Sequence, residues 1–88
     1  MQNTKLYYPA IFHPEVDGGY SVSVPDMEQI HCACYTQGDT FEESFLMTEQ
    51  AIDLALESVS QNDFPTPSLP TTLCVQNYER IVMVPHNL

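Results

Sequence analysis

Apolar and polar residues alternate with a period of two along Tyr20-Ser-Val-Ser-Val24, which puts Tyr20, Val22 and Val24 on one side and Ser21 and Ser23 on the other. That period marks a strand with one face covered and the other wet, as in an antiparallel sheet. Leu6-Tyr-Tyr-Pro-Ala-Ile-Phe12 is apolar and aromatic and predicts a preceding strand. Pro9 cannot donate to a ladder, so it is expected at an edge or a bulge. Between the two runs, His13 to Gly19 holds a proline, Asp17 and the adjacent Gly18 and Gly19, the composition of a hairpin loop. Pro25-Asp26 ends the alternating strand, and Ile30 to Tyr35 predicts a third, closed by Thr36-Gln-Gly38.

The period then changes from two to 3.6. Phe41, Phe45, Thr48, Ile52, Ala55 and Val59 recur at spacings of three and four, widened by Leu46, Ala51 and Leu56. This predicts an amphipathic helix from about 40 to 60. Thr40 and Glu43 fit a capping box, in which each side chain satisfies an orphan backbone N–H of the first turn. Asn62 to Thr72 contains Pro65, Pro67 and Pro70 and predicts an extended connection. Arg80 to Val84 is a last strand, expected to end at Pro85. The order β-β-β-α-β, with one apolar sheet face and one apolar helix stripe, predicts a two-layer α/β sandwich with a mainly antiparallel sheet.

Charge changes this picture. Twelve Asp and Glu face two Lys and Arg, a net charge of −10 across 88 residues. Such a surface repels phosphate backbones and anionic membranes and attracts basic proteins, so neither nucleic acid nor membrane is an expected partner. No apolar run approaches a membrane span, and Leu6 to Phe12 is too short for a secretory signal. Cys32, Cys34 and Cys74 form no disulfide framework, so a cytoplasmic protein with reduced thiols is the expectation. At 88 residues the chain makes one domain with a modest core, so self-association or a partner would add stability.

The chain offers little for catalysis. Phosphate-cradling glycine loops, the zinc-protease helix motif and the nucleophile elbow have no match. His31, Cys32 and Cys34 lie closer together than structural zinc ligands usually do, and buried strand cysteines explain them better. His31 and Cys32, as neighbours in a strand, would point to opposite faces and could not form a dyad. His13 is expected in the hairpin loop and His86 at the C-terminal edge. Asp17, Asp26 and Asp39 adjoin Gly, Pro or Thr, where Asp is favoured for local turn and cap hydrogen bonds. No cofactor, metal or catalytic residue is expected.

Several landmarks recur in one order: Tyr8-Pro9-Ala10, Gly18-Gly19-Tyr20, Pro25-Asp26, Thr36-Gln37-Gly38-Asp39-Thr40 with Glu42-Glu43, and Pro65-Thr-Pro67-Ser68. The set resembles the N-terminal domain of HicB-type antitoxins over roughly residues 6 to 86. Where that family usually has a tight Pro-Gly-Cys turn, Asp26 is followed by Met-Glu-Gln-Ile-His-Cys32.

The resemblance implies a partly degraded ribonuclease H-like fold and a protein that binds a small basic HicA-like toxin, an mRNA-cleaving ribonuclease. The family commonly adds a C-terminal DNA-binding module; none is present in these 88 residues, so operator binding by this segment is not expected. Glu15, Asp17, Glu28 and Asp39, charged and in predicted loops, are the candidate partner contacts. A homo-oligomer is also expected, through the face around Ser21 and Ser23 or the edge near Pro9. Two competing readings are a structural or regulatory oligomerisation domain without a toxin, and a residual metal-dependent nuclease.

Overall fold

The computed structural model describes residues 5–88. Strands β1 (Lys5–Pro14), β2 (Tyr20–Ser23), β3 (Tyr35–Gly38) and β4 (Arg80–Asn87) pair antiparallel in the order β3-β2-β1-β4. Helix α1 (Phe41–Leu56) covers one face of this sheet. The predicted β-β-β-α-β sandwich is therefore the fold observed. Alternation in β1 turns Tyr8, Ala10 and Phe12 inward, all fully buried, against Val22, Ile52, Leu56 and Val84. Each large apolar side chain sealed in this way contributes about 1.5–3 kcal/mol.

One backbone hydrogen bond explains where the prolines sit. Val24 N–H donates to the Cys34 carbonyl at 3.0 Å, just beyond the paired residues of β2 and β3. Bonded and unbonded pairs alternate in an antiparallel ladder, so Ser21 and Ser23 turn their backbone groups towards β1. Ile11 and His13, their partners, face β2 in return. By the same alternation Pro9 also points to the β2 side, away from its β4 partner Met83. Continuing the register would set Pro9 opposite Pro25, and neither residue has an N–H, so the ladder stops at Ile11.

Pro9 was expected at an edge or bulge, but it lies buried in a central strand, at the point where the β1–β2 pairing ends. Pro85 was expected to end the last strand, and β4 instead runs through it to Asn87. Pro85 pairs with Tyr7, whose backbone groups face away from β4, so its missing N–H lies on the open edge.

The third strand also differs from expectation. Residues Pro25–Ile30 form a 3₁₀ turn, and β3 begins at Tyr35. Pro25 at the first turn fixes a helical φ, and the turn drives Met27 fully into the core. His31 ends it in the left-handed region at φ 58°. The segment expected to close the strand, Thr36 to Gly38, is the strand itself.

α1 stops at Leu56, short of the predicted residue 60. Its buried stripe is Ser44, Thr48, Ile52 and Leu56, while Phe41 and Leu46 are exposed and Phe45 and Ala55 are half-buried. The Ser44 hydroxyl donates to the Thr40 carbonyl and that of Thr48 to the Ser44 carbonyl, each at 2.7 Å. These internal bonds let two hydroxyls occupy core positions: Thr48 stands there as the stripe predicts, while Ser44 takes a place that the pattern gives to the phenylalanines beside it. The connection from α1 to β4 contains 3₁₀ turns at Gln61–Asp63 and Pro70–Thr72 between its extended stretches.

Candidate functional site

The hairpin between β1 and β2 is built by its glycines. Gly18 and Gly19 take φ of 99° and 78°, and Glu15 N–H closes the loop on the Gly19 carbonyl at 3.0 Å. Tyr20, next in sequence, pairs with Gly38 at the end of β3. A side chain at Gly38 would stand 2.6 Å from the Ser44 backbone nitrogen, so the start of α1 can close onto the sheet only over a glycine. Thr40 then caps the helix: its hydroxyl accepts from Glu43 N–H at 3.0 Å, and the Glu43 carboxylate accepts from Asp39 N–H at 2.7 Å.

The result is an acidic pole. Glu15, Asp17 and Asp39, exposed and from two loops, line one polar groove of about 380 Å³ with Tyr20, Ser21 and Gln37. Glu42 and Glu43 in the first turn of α1 extend the charge beyond Asp39. Glu15 also accepts from the Ser21 hydroxyl at 2.7 Å. Three of the four candidate contacts thus come together. Glu28 does not join them, because the 3₁₀ turn places it past the other end of β2. Of the two cationic side chains, Arg80 starts β4 opposite Phe12 and Lys5 lies at the far end of β1.

The remaining landmarks serve the fold. The Tyr8 hydroxyl donates to the Pro65 carbonyl at 2.8 Å, and Gln29 exchanges two hydrogen bonds of 3.0 Å with the Thr66 backbone. Asp26, buried, accepts from both the N–H and the hydroxyl of Ser68. The proline-rich connection is therefore stapled to β1 and to the 3₁₀ turn. Burial, and secondarily the Asp26 charge, pushes the Tyr8 phenol above its usual pKa.

On the sheet face away from α1, His13 is a strand residue and not a loop residue. Its Nδ1 lies 2.9 Å from Glu79, its Nε2 lies 3.9 Å from Glu15, and its ring packs edge-on to Tyr78. His86 is likewise inside β4, with Nδ1 2.7 Å from Asp53 of α1. Sequence separations of 33 and 66 left these pairs without a local signal. His31 is exposed in its left-handed turn, so the argument from strand geometry no longer applies to it and Cys32. Cys34 is buried, and the loss of water around it, with Cys32 beside it, pushes its thiol up to about 11.

A family model for the HicB-like antitoxin of bacterial toxin–antitoxin systems matches residues 8–83, a span that holds both the staples and the acidic pole. The chain belongs to this family. Among curated relatives, it is 37% identical over 60 residues to a UPF0150 protein of Synechocystis sp., covering 68% of this chain and 71% of that protein. A second UPF0150 protein of the same organism is 32% identical over 64 residues, covering 73% and 82%. The solved toxin–antitoxin complex from Streptococcus pneumoniae contains a chain with the same fold, at a TM-score of 0.73 and 24% identity. That match covers 94% of this chain and 69% of the other.

Among the described residues, no three His, Cys, Asp or Glu side chains stand where they could hold a metal ion. No helix among them is long and apolar enough to cross a membrane.

Proposed function

We propose that this chain is the antitoxin that neutralises a small, basic, HicA-like mRNA-cleaving toxin in the cytoplasm, and that its acidic pole docks on the toxin's RNA-binding face. The observation that carries this reading is the convergence of Glu15, Asp17 and Asp39 on one groove, with Glu42 and Glu43 beside it. A ribonuclease must present cationic groups to hold RNA. Carboxylates arranged at one end of an antitoxin meet the same groups and exclude the substrate, speeding encounter as well as selecting the partner. The domain acts by binding and does no chemistry. These 88 residues, at −10, do not themselves hold operator DNA.

Co-expression with the toxin tests it. The wild-type chain should co-purify with the toxin and restore growth, and Asp17→Lys with Asp39→Lys should slow association by about tenfold or more at low salt. Retention of full, salt-insensitive binding by the double variant would refute the acidic pole as the docking face. Failure of the wild type to bind or rescue would refute the antitoxin–toxin pairing itself.

A further inference from the structure

The sheet has two edges, and they are not equivalent. At β4, Pro85 turns its missing N–H outward, which guards that edge against another strand. The edge expected near Pro9 does not exist, because Pro9 lies inside the sheet. β3, at the other side, contains no proline. Because Val24 bonds Cys34, the next bonded pairs are Val22 with Thr36 and Tyr20 with Gly38. Tyr35 and Gln37 therefore turn their N–H and C=O groups outward, at the spacing that a further strand would meet. Thr36, opposite the buried Val22, points its side chain to the helix side, while Tyr35 and Gln37 point theirs to the open face.

We propose, resting on the antitoxin reading above, that this edge takes a strand of the basic toxin, so that the antitoxin's sheet continues into its partner. Acids border the edge on both sides. Gln37 and Gly38 share their groove with Glu15, Asp17 and Asp39. On the helix side, Tyr35 lines a groove with Leu54, which is 71% exposed, and Leu54 lines the next groove with Asp53 and Glu57. Two copies of a chain at −10 would bring these carboxylates against one another, whereas a cationic strand is attracted from both sides. The pleat then dictates what that strand carries. Its residue facing Gln37 projects onto the open face towards the acidic groove, which suits Lys or Arg. Its residue facing Thr36 projects to the helix side, beside the exposed Met47 and Leu54, where an apolar side chain fits. The occupant is thus a strand of alternating cationic and apolar residues. Main-chain hydrogen bonds at Tyr35 and Gln37 hold it, and the alternation selects it.

Amide exchange tests this, followed residue by residue by NMR on the free chain and on its complex with the co-expressed toxin. Tyr35 and Gln37 should exchange about tenfold or more slowly in the complex, beyond any slowing of Thr36 and Gly38, which already face β2. Leu54→Lys puts a cation beside the incoming strand and should weaken toxin binding about tenfold or more. Leu88→Lys, the same change of charge just past β4, should leave binding nearly unchanged, and both variants should keep the circular dichroism of the wild type. A complex in which Tyr35 and Gln37 exchange as fast as in the free chain would overturn the strand pairing and leave the antitoxin reading standing. Absence of any complex would overturn both. Full binding by Leu54→Lys would overturn the pairing too. So would protection of the two amides in the free chain that grows with its concentration, which would assign the edge to a second copy.

Discussion

The Asp26 carboxylate holds Ser68, 42 residues away, with both of its oxygens: Oδ2 accepts from the backbone N–H at 2.7 Å and Oδ1 from the hydroxyl at 2.6 Å. Asp26 follows the proline that stops the β1–β2 ladder, and Ser68 lies in the proline-rich connection to β4. The pair therefore ties the last strand to the end of the first hairpin. Both oxygens of the carboxylate thus serve the fold.

Replacing Asp26 by Ala should therefore lower stability without touching any exposed surface. A half-buried N–H and a hydroxyl would each lose a charge-assisted partner, and such bonds contribute about 1.5–3 kcal/mol. A loss of about 2–3 kcal/mol is a large share of the total for a domain of this size. Urea unfolding should show a lower midpoint with an unchanged slope. Asp26→Asn, which keeps one acceptor, should fall in between.

The acid response should depend on Glu79. A hydrogen bond from Gln76 N–H, and then one from His13, holds its carboxyl below the usual range. A carboxyl with a lowered folded-state pKa adds stability that is complete above the ordinary glutamate value and is lost as the pH falls through the lower one. Thermal melts between pH 7 and 3 should therefore fall more steeply for the wild type than for Glu79→Gln. Parallel curves would show that the contact has no effect on stability.

Gly38 is the point where the sheet meets the helix start. Gly38→Ala would place a methyl 2.6 Å from the Ser44 backbone nitrogen and 2.8 Å from its Cα, so the first turn of α1 must move. Overpacking against backbone costs about 1–3 kcal/mol. Because Asp39 is next in the chain, the same variant should displace one wall of the acidic groove. Reduced stability together with slower toxin association is the expected pair of outcomes, read by chemical denaturation and surface binding.

These sites show which features the sequence made legible. The hairpin glycines and the Thr40–Glu43 cap are short-range signals, and both stand where the residue pattern placed them. The element order followed from them. The third strand did not, because Ile30, Cys32 and Cys34 suggest a strand while Pro25 winds the preceding residues into a turn that buries Met27. On the helix face, Thr48 and Ile52 stand in the core as the stripe placed them, whereas Ser44 was missed because its hydroxyl is satisfied within the helix and so passes as a core residue. The acids at 15, 17 and 39 were recognisable as loop charges. Their meeting depends on Tyr20 pairing with Gly38, a contact that no local pattern encodes.

The three cysteines should separate by reactivity. All are unpaired; Cys74 is exposed, Cys32 half-buried and Cys34 buried. With its thiol at about 11, Cys34 at pH 8 is ionised in about one molecule per thousand, and the thiolate is the nucleophile. A maleimide should therefore label Cys74 first and leave Cys34 unmodified until the chain unfolds. Mass spectrometry of peptides after brief labelling distinguishes the sites. Labelling of Cys34 at the rate of Cys74 in the native protein would mean that the start of β3 opens readily, because only exposure to water removes the burial that protects the thiol. Denaturant should then bring Cys34 in step with global unfolding, and Asp26→Ala should shift its labelling to lower urea by the same interval as the unfolding midpoint.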